Sequence, residues 1–419
     1  MESITNHENL KLSLSNYFGP STLVTAAFIG PGTVTICTLA GVNSGYMLLW
    51  ALVFSVIATI VLQEMSARLG LITQSGFGEA IRSEMTKPAL RVFSIILVLG
   101  AIVIGNAAYE GGNISGAVLG FEELFSPLNI DLGNQRISLI PVLLGLVAFL
   151  ILYAGTFKII ERYLIGLVMI LSVVFLTTAV VVKPDISAII RGLFVPVFDA
   201  DQLLLVVGII GTTVVPYNLF LHASLVKEKY KSITQLGELR RENSVAIILG
   251  GIISASIIIT SAATLYGQDG IGSAADMAKQ LQPLLGKWSG YFLGAGLFAA
   301  GISSAITAPL AAAYATRGIL GWDDTLKSPR FRAVWISILA VGVFSSMFGI
   351  SPVIIIQFAQ VANGILLPVV VGFLLFLVNK KELLGNNINS IHQNVLAFGV
   401  LIITLLLSVR SINAVFNFL

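Results

Sequence analysis

Two short segments place a proline among small polar residues inside otherwise apolar stretches of the chain. One reads Gly30-Pro31-Gly32-Thr33, and the other runs from Thr212 through Pro216 to Asn218. Proline has no backbone donor and glycine resists helical order, so each segment should interrupt a helix. An interrupted helix leaves unpaired N–H and C=O groups next to the hydroxyls and the amide of these segments. Such groups predict a binding site for a small ion.

The composition indicates where these segments lie. Of the 419 residues, 56% are hydrophobic and 11% are charged, and the mean hydropathy is +0.93. Soluble domains carry about 25% charged residues, so an ordinary cytoplasmic enzyme is excluded. The net charge of +3 argues against nucleic-acid binding, and the single Cys37 excludes a disulfide framework and a cysteine-based zinc site. We expect a monomeric protein in the lipid bilayer, with no cofactor.

Apolar segments of about 20 residues, the length that crosses a bilayer, recur along the chain. About eleven can be counted, near residues 18–42, 45–69, 91–120, 137–155, 163–182, 203–226, 243–266, 288–318, 331–349, 353–378 and 394–412. No connection between them is long enough for a separate soluble domain. Residues 1–419 should therefore form one all-α integral membrane domain.

The two interruptions fall in spans 1 and 6, five spans apart. Equivalent helices have this spacing in a fold of two inverted five-helix repeats, and matching broken helices mark a transporter's midplane site. We expect repeat one at about 18–182, repeat two at about 203–378, and an extra helix at about 394–412. The alternative is that both are ordinary proline kinks, which membrane helices tolerate.

Lysine and arginine are distributed unevenly between the two sides of this arrangement. With the N-terminus inside, 18 of the 24 basic residues face the cytoplasm. They are Lys11, Arg68, Arg82, Lys87, Arg91, Lys158, Arg162, Lys227, Lys229, Lys231, Arg240, Arg241, Arg317, Lys327, Arg330, Arg332, Lys380 and Lys381. The outer side holds Arg136, Lys183, Arg191, Lys279, Lys287 and Arg410. The bias predicts a multi-pass protein of the cell membrane with its N-terminus in the cytoplasm and its C-terminus outside.

Motifs in four of the spans occur in the order of a known family. The second span carries Gln63, Arg68-Leu69-Gly70-Leu71 and Thr73, followed by Glu79, and the sixth carries the run from Gly211 to Val226. The eighth carries Ala299 to Thr307, and the tenth carries Ala359-Gln360-Val361 and then Leu367-Pro368. These motifs resemble the Nramp family of metal-ion transporters, which have the LeuT fold. The resemblance implies that Glu110, His222 and Gln360 occupy polar positions of that family.

The chain departs from this family at the residues that bind the metal. The family's first break reads Asp-Pro-Gly-Asn and its sixth-helix break reads Met-Pro-His. Here the same places read Gly30-Pro31-Gly32-Thr33 and Val215-Pro216-Tyr217. The family's Asp-x-x-Glu on the third helix is replaced by Ala107 and Glu110. The resemblance thus implies a transporter that lacks the usual metal ligands.

The altered breaks favour an anion as the substrate. A divalent cation in a dry site needs anionic or strongly dipolar ligands, so the missing carboxylate argues against Mn²⁺ and Fe²⁺. The second halves of the broken helices begin with free N–H groups and the positive end of a helix dipole. We predict secondary active uptake of a small anion, bicarbonate first, coupled to Na⁺ or H⁺. The expected contacts are Gly30, Gly32, Thr33, Thr212, Thr213, Val215, Tyr217, Asn218 and Gln360.

Other functions fit the same residues. A hydrated cation depends less on direct ligands, so transport of Mg²⁺ or Mn²⁺ is the main alternative. The threonines of the breaks could instead only satisfy freed backbone carbonyls. A membrane sensor with a transporter fold is a second alternative. An enzyme is not expected, because the sequence contains no phosphate loop, dinucleotide-binding turn or zinc-protease motif.

Hydroxyls in the eighth span suggest a site for a coupling ion. Carbonyls around Ala26 and Ile29 could face Ser303, Ser304 and Thr307, in the place that holds Na⁺ in LeuT-fold proteins. Oxygen-only ligation suits that ion. The alternative is that the adjacent serines only allow close helix packing.

Glu110 and His222 are the candidates for carrying a proton or balancing charge. A carboxylate inside a membrane span is functional by default, and histidine titrates near physiological pH. The alternatives are an acid paired with a hydroxyl near the outer mouth, and a histidine that only packs. Glu64 and Arg68, spaced i, i+4, should form a structural ion pair.

Overall fold

The computed structural model describes residues 29–132, 135–154, 157–197, 199–322, 327–348 and 350–416, most of which are helical. The first half of the chain forms α1 (Pro31–Ser44), α2 (Leu49–Thr73), α3 (Phe77–Glu84), α4 (Pro88–Leu99), α5 (Gly105–Leu124), α6 (Ile140–Ala154), α7 (Phe157–Val181), α8 (Ile186–Phe194) and α9 (Leu203–Thr213). The second half forms α10 (Pro216–Lys229), α11 (Leu236–Leu265), α12 (Ala274–Ala278), α13 (Gln282–Leu285), α14 (Ser289–Leu320), α15 (Pro329–Ser345), α16 (Pro352–Val378), α17 (Lys381–Leu384) and α18 (Ile391–Phe416).

Shorter elements complete this helical framework. A π-helical segment, Gly100–Ile104, joins α4 to α5. The connection after α5 contains an antiparallel hairpin of β1 (Asn129–Leu132) and β2 (Gln135–Ser138), which the sequence had not indicated. Short 3₁₀ segments lie at Ala200–Gln202, Ile233–Gln235, Lys279–Leu281, Gly286–Trp288 and Gly385–Asn387.

The helices match the predicted membrane spans. Within the described ranges, eight helical segments are long and apolar enough to cross a membrane, and they coincide with predicted spans 2, 3, 5, 6, 7, 8, 10 and 11. Predicted spans 1, 4 and 9 coincide with α1, α6 and α15, which have 14, 15 and 17 residues. The prediction of an all-α polytopic protein is confirmed, and the exact number of eleven spans stays a prediction.

The predicted break in helix 6 is confirmed. Val214 (φ −98°, ψ 75°) and Val215 (φ −79°, ψ 122°) leave the helical conformation after α9. Pro216 then begins α10 at the first helical position, where no backbone donor is needed. At the first break, Gly30 is extended (φ −99°, ψ −177°) and Pro31 begins α1 in the same way. The part of the first span before residue 29 lies outside the described residues.

The central helices approach closely because glycines lie at their contacts. α5 packs most extensively against α14 and then against α16, and α1 packs against α11. A Cβ atom added to Gly301 would lie 2.5 Å from the backbone nitrogen of Ala117, and one added to Gly116 would overlap the ring of Pro31. Small residues allow this packing inside a membrane, where helix association depends on close contact. The breaks therefore lie in the centre of the bundle.

Ion pairs hold one end of the bundle. Glu64 on α2 accepts hydrogen bonds from Arg68 at 3.0 Å and from Arg240 of α11 at 2.8 Å. The Arg68 side chain is almost fully buried and also donates to Oδ1 of Asn389 at 2.5 Å. The predicted Glu64–Arg68 pair is confirmed, and it ties α2 to α11 and to the segment before α18.

Candidate functional site

Two threonine hydroxyls connect the breaks. Oγ1 of Thr33, in the first turn of α1, lies 2.9 Å from Oγ1 of Thr212, in the last turn of α9. Both side chains are almost wholly buried. The hydroxyl of Thr213 instead donates to the carbonyl of Ile209 at 2.8 Å, while the Thr213 carbonyl accepts from Thr59 at 3.5 Å. Thr33 and Thr212 thus meet at the site, whereas the Thr213 hydroxyl bonds within its own helix.

Gln360 of α16 lies against both broken helices. A Cβ atom added to Gly32 would overlap the side-chain amide of Gln360. A Cβ atom added to Gly211 would overlap the backbone carbonyl oxygen of Gln360. The two glycines therefore allow α16 to approach α1 and α9 at the breaks. Oε1 of Gln360 is buried and accepts no hydrogen bond from the residues that the structure describes. An acceptor oxygen without a partner thus lies beside the site.

α5 brings an aromatic ring and a carboxylate to the start of α10. The ring centroids of Tyr109 and Tyr217 are 5.5 Å apart, with the planes tilted by 59°. Glu110 is fully buried, and its Oε2 accepts a hydrogen bond from Nδ2 of Asn113 at 3.1 Å. Oε1 of Glu110 and both amide atoms of Asn218 have no hydrogen-bond partner in the described part of the chain. The start of α10 is therefore rich in uncompensated polar atoms.

Gly30 and Val215 occupy the breaks themselves. Gly30 offers only backbone atoms, and the fully buried Val215 adds only hydrocarbon. Neither residue supplies a side-chain ligand for a bound ion. Polar chemistry at the breaks comes from the hydroxyls, amides and carboxylate around them.

His222 is held by a different helix. Its Nδ1 lies 2.7 Å from Oε1 of Gln63 on α2, and the imidazole is fully buried. The structure brings Glu110 to the aromatic pair and places His222 further along α10. The role of both residues in carrying a proton or balancing charge stays a prediction.

The predicted coupling-ion residues are described only in part. Oγ1 of Thr307 donates to the carbonyl of Ser303 at 2.8 Å, so this hydroxyl bonds within α14. Ser304 and Ile29 are buried, whereas Ala26 lies outside the described residues. The assignment of Na⁺ to this place stays a prediction.

The side chains around the breaks that could bind an ion offer neutral oxygen atoms and one carboxyl group. No group of three His, Cys, Asp or Glu side chains comes together anywhere in the described ranges. An ion at the breaks would be held by hydroxyl, amide and carbonyl oxygens, with Glu110 as the nearby carboxyl group.

Comparison with known proteins identifies the family of this chain. The family described as natural resistance-associated macrophage protein-like matches residues 21–414. The chain belongs to the Nramp family. Among its relatives, the divalent metal cation transporter MntH of Bacillus subtilis (strain 168) is 27% identical over 401 residues, which cover 94% of this chain and 91% of the relative.

Solved structures show the same fold. The manganese transporter of Eremococcus coleocola matches 99% of this chain and 89% of its own with a TM-score of 0.76 and 22% sequence identity. Mhp1, a nucleobase-cation-symport-1 family transporter, matches 95% of this chain and 93% of its own with a TM-score of 0.57 and 15% identity. The LeuT-type fold predicted for this Nramp chain is confirmed.

The predicted anion substrate is wrong. Nramp relatives that match nine-tenths of the chain are divalent metal cation transporters. The same relatives contradict the broader prediction that the partner is an unspecified small inorganic ion. The physical reason lies in the buried charges. Glu110 is a buried carboxylate, and Arg68, the other buried charged residue in the described chain, is bound to Glu64 away from the breaks. Among the described residues, no buried cation is therefore left at the breaks to offset the charge of an anion in a low-dielectric site.

Two buried asparagines, Asn106 and Asn363, lie near the site residues Glu110 and Gln360. The sequence analysis did not assign them to the site. Both amide atoms of Asn106 and Nδ2 of Asn363 are buried without a hydrogen-bond partner in the described ranges. Oδ1 of Asn363 would lie 3.9 Å from a Cβ atom at Gly105, so the two asparagines lie at the same level of α5 and α16. Asn106 precedes Glu110 by four residues and Asn363 follows Gln360 by three, spacings that share a helix face. That spacing could have predicted from the sequence that Asn106 and Asn363 lie near the site.

Proposed function

We propose that this Nramp chain is a secondary transporter that moves a divalent metal cation through a midplane site between the two broken helices. The chain belongs to the Nramp family, and its relatives in that family are divalent metal cation transporters. The oxygen atoms buried at the breaks also support the proposal. The single observation that carries the proposal is the set of buried polar atoms without partners around Glu110. Buried polar groups are normally hydrogen-bonded, so such a set indicates room for waters or for an ion with its waters.

The donor chemistry favours a hard cation. Thr33, Thr212 and Gln360 offer oxygen, and Val215 stands where a thioether would select softer transition metals. Mg²⁺ dehydrates reluctantly and is usually bound through a few direct oxygens and several of its own waters. We therefore place Mg²⁺ first and Mn²⁺ second among the substrates.

Charge balance assigns a role to Glu110. Two positive charges in a low-dielectric site are costly unless an anionic group or water shares them. Glu110 is the one fully buried acid among the described residues, and its Oε1 has no partner there. We propose that it offsets part of the charge, while Oδ1 of Asn106 accepts a hydrogen bond from a water of the ion and Nδ2 of Asn363 donates to a water oxygen.

The excess of lysine and arginine on one side of the membrane supports the proposed orientation. Lys227 with Glu79, Lys229 with Glu242 and Lys380 with Glu84 lie at 3.0, 3.1 and 2.7 Å, and all belong to the side predicted to be cytoplasmic. We propose that the N-terminus is inside the cell and the C-terminus outside. In the proposed mechanism, the two repeats predicted at about 18–182 and 203–378 rock against each other and open the site alternately to each side.

A binding screen tests the proposal. The purified full-length protein is heated in detergent with Mg²⁺, Mn²⁺, Cd²⁺ or bicarbonate, at matched ionic strength with choline chloride as the control. A ligand at 100 times its Kd stabilises the folded state by about 2.7 kcal/mol, so a bound cation should raise the Tm measurably. We expect Mg²⁺ and Mn²⁺ to stabilise. Stabilisation by the oxyanion and by no divalent cation would overturn the proposal.

A further inference from the structure

A cleft opens at the far end of α1 from the break. Its volume is about 390 Å³, and it lies where the end of α1, the end of α11 and helix α8 meet. Its lining includes Tyr46, Ala188, Arg191, Val195, Val197 and Ala262. Ser44 follows Pro31 by thirteen positions, or about 20 Å of helix, so the cleft is separate from the ion site.

Aromatic residues place the cleft at the surface of the membrane. Tyr46 and Tyr266 line it, and Trp50, at the start of α2, donates from Nε1 to the carbonyl of Val197 at 3.2 Å. Tyrosine and tryptophan gather at the level of the lipid headgroups, where their rings are apolar and their polar atoms reach water. The cleft therefore lies at the depth of the headgroups.

Helix α8, which forms one wall, has the pattern of a helix that lies in the membrane surface. Asp185 caps its N-terminus, with Oδ1 accepting from the N–H groups of Ser187 and Ala188 at 2.9 and 3.1 Å. Three large apolar side chains spaced by four residues are exposed on it, namely Ile186 at 61%, Ile190 at 54% and Phe194 at 77%. Such a row faces lipid in a protein that spans a membrane. The cleft is thus continuous with a lipid-facing surface.

Arg191 gives the cleft its charge. It is exposed, it is the one charged residue among those that line the cleft, and its guanidinium makes no hydrogen bond or ion pair with any residue that the structure describes. The remaining lining is predominantly apolar, with Val195, Val197 and Ala262 offering hydrocarbon. A guanidinium beside an apolar cleft complements a phosphate that carries an acyl chain.

We propose that this cleft binds one phospholipid with an anionic headgroup. Arg191 donates to the lipid phosphate, and the first part of an acyl chain lies against Val195, Val197 and Ala262. The lipid joins α8 to the ends of α1 and α11. This proposal does not depend on which ion is transported.

Native mass spectrometry of the full-length protein tests it. The protein is incubated with dioleoyl phosphatidylglycerol or dioleoyl phosphatidylcholine, and the retained lipid is counted for wild type, Arg191→Gln, Ala188→Trp and Val195→Trp. The two tryptophans fill the cleft independently, so one informative variant remains if the other does not fold. Lys183→Gln removes an outer cation that does not line the cleft and serves as the matched control.

We expect wild type and Lys183→Gln to retain one phosphatidylglycerol in preference to phosphatidylcholine. A charge-assisted hydrogen bond to phosphate predicts that Arg191→Gln weakens retention about tenfold, and each folded tryptophan variant should lose it. Equal retention of both lipids would overturn the proposal, as would equal losses in Arg191→Gln and Lys183→Gln. Competition by free glycerol phosphate at the same concentration as the lipid would show a site for a soluble anion and would also contradict it.

Discussion

The hydroxyl oxygens of Thr33 and Thr212 lie 2.9 Å apart and join α1 to α9 at the two breaks. The two residues come from the predicted repeats one and two, so the contact crosses the boundary that should move during transport. Both hydroxyls are buried, and each can donate to the other or accept from it. A cation between the breaks can therefore be held by both oxygens at once.

This pair predicts non-additive losses of transport. Thr33→Val and Thr212→Val each remove one hydroxyl at nearly constant volume, and a net hydrogen bond of about 1 kcal/mol corresponds to roughly fivefold slower uptake. Because the two oxygens act together, the double variant should be little worse than either single one. Initial uptake rates of Mg²⁺ in proteoliposomes measure this, with Thr33→Ser as the control that keeps the hydroxyl. Fully additive losses would show that the two side chains act independently.

Asn106 and Asn363 predict a trade-off between stability and transport. A buried polar group without a partner costs about 1–3 kcal/mol, so Asn106→Leu or Asn363→Leu should raise the Tm while it lowers divalent-cation uptake. Asn389→Leu is the matched control, because Asn389 is buried at the ion-paired end, where its Oδ1 accepts from Arg68 at 2.5 Å and its Nδ2 donates to Oδ1 of Asn394 at 2.8 Å. That variant should lower the Tm and leave uptake unchanged. A drop in Tm for both site variants, with unchanged uptake, would mean that these amides only support packing.

Gly30 and Val215 predict a change of metal preference. Gly30 is extended at φ −99°, which any residue adopts, and precedes the first residue of α1, a position where aspartate is favoured. Gly30→Asp with Val215→Met supplies a carboxylate and a soft thioether sulfur, so the double variant should bind Mn²⁺ and Cd²⁺ at least tenfold more tightly. Titration calorimetry of wild type and the double variant measures this, with Val215→Leu as the control for added bulk. An unchanged metal preference would contradict the placement of the site at the breaks.

Glu79 predicts how stability depends on pH on the ion-paired side of the protein. Partial burial alone would raise the pKa of Glu79, but hydrogen bonds from the N–H of Gly76 at 2.8 Å and from Lys227 at 3.0 Å hold that pKa below its usual range. The stabilisation is therefore present above the unfolded pKa of about 4.3 and is lost as the pH falls through the lower folded pKa. The side chain is 36% exposed, so the contribution at neutral pH is below about 1 kcal/mol.

Thermal unfolding between pH 7 and pH 3 measures this contribution. The Tm difference between wild type and Glu79→Gln should be largest near neutral pH and should close as the solution is acidified. Glu382→Gln changes an exposed acid on the same side and should show no such pattern. A gap that widens toward low pH would contradict the assignment.

The breaks could be predicted from the sequence because of the residues around each proline. Pro309 and Pro368 lie inside the continuous helices α14 and α16, so proline alone does not break a helix here. Pro31 follows a glycine, and Pro216 follows two β-branched valines that adopt extended conformations readily. The length of the apolar runs predicted the remaining helices, because a bilayer sets that length.

The substrate and part of the site could not be predicted in the same way. The absence of an acid at Gly30 was visible in the sequence, but the burial of Glu110 and the separation of Arg68 from the breaks depend on tertiary packing. Asn106 and Asn363 were visible as amides inside apolar helices. Their lack of partners could be recognised only once α5 and α16 were placed side by side.

Uptake of Mg²⁺ and Mn²⁺ into proteoliposomes tests the central claim most directly. An enclosed indicator dye reports entry of the cation down an imposed gradient, with empty liposomes and liposomes holding the Thr33→Val and Thr212→Val double variant as controls. The structure predicts saturable entry of Mg²⁺ with wild type, competition by Mn²⁺, and markedly slower entry with the double variant. Entry no faster than in empty liposomes for every divalent cation tested, with folded wild-type protein in the membrane, would contradict divalent-cation transport by this chain.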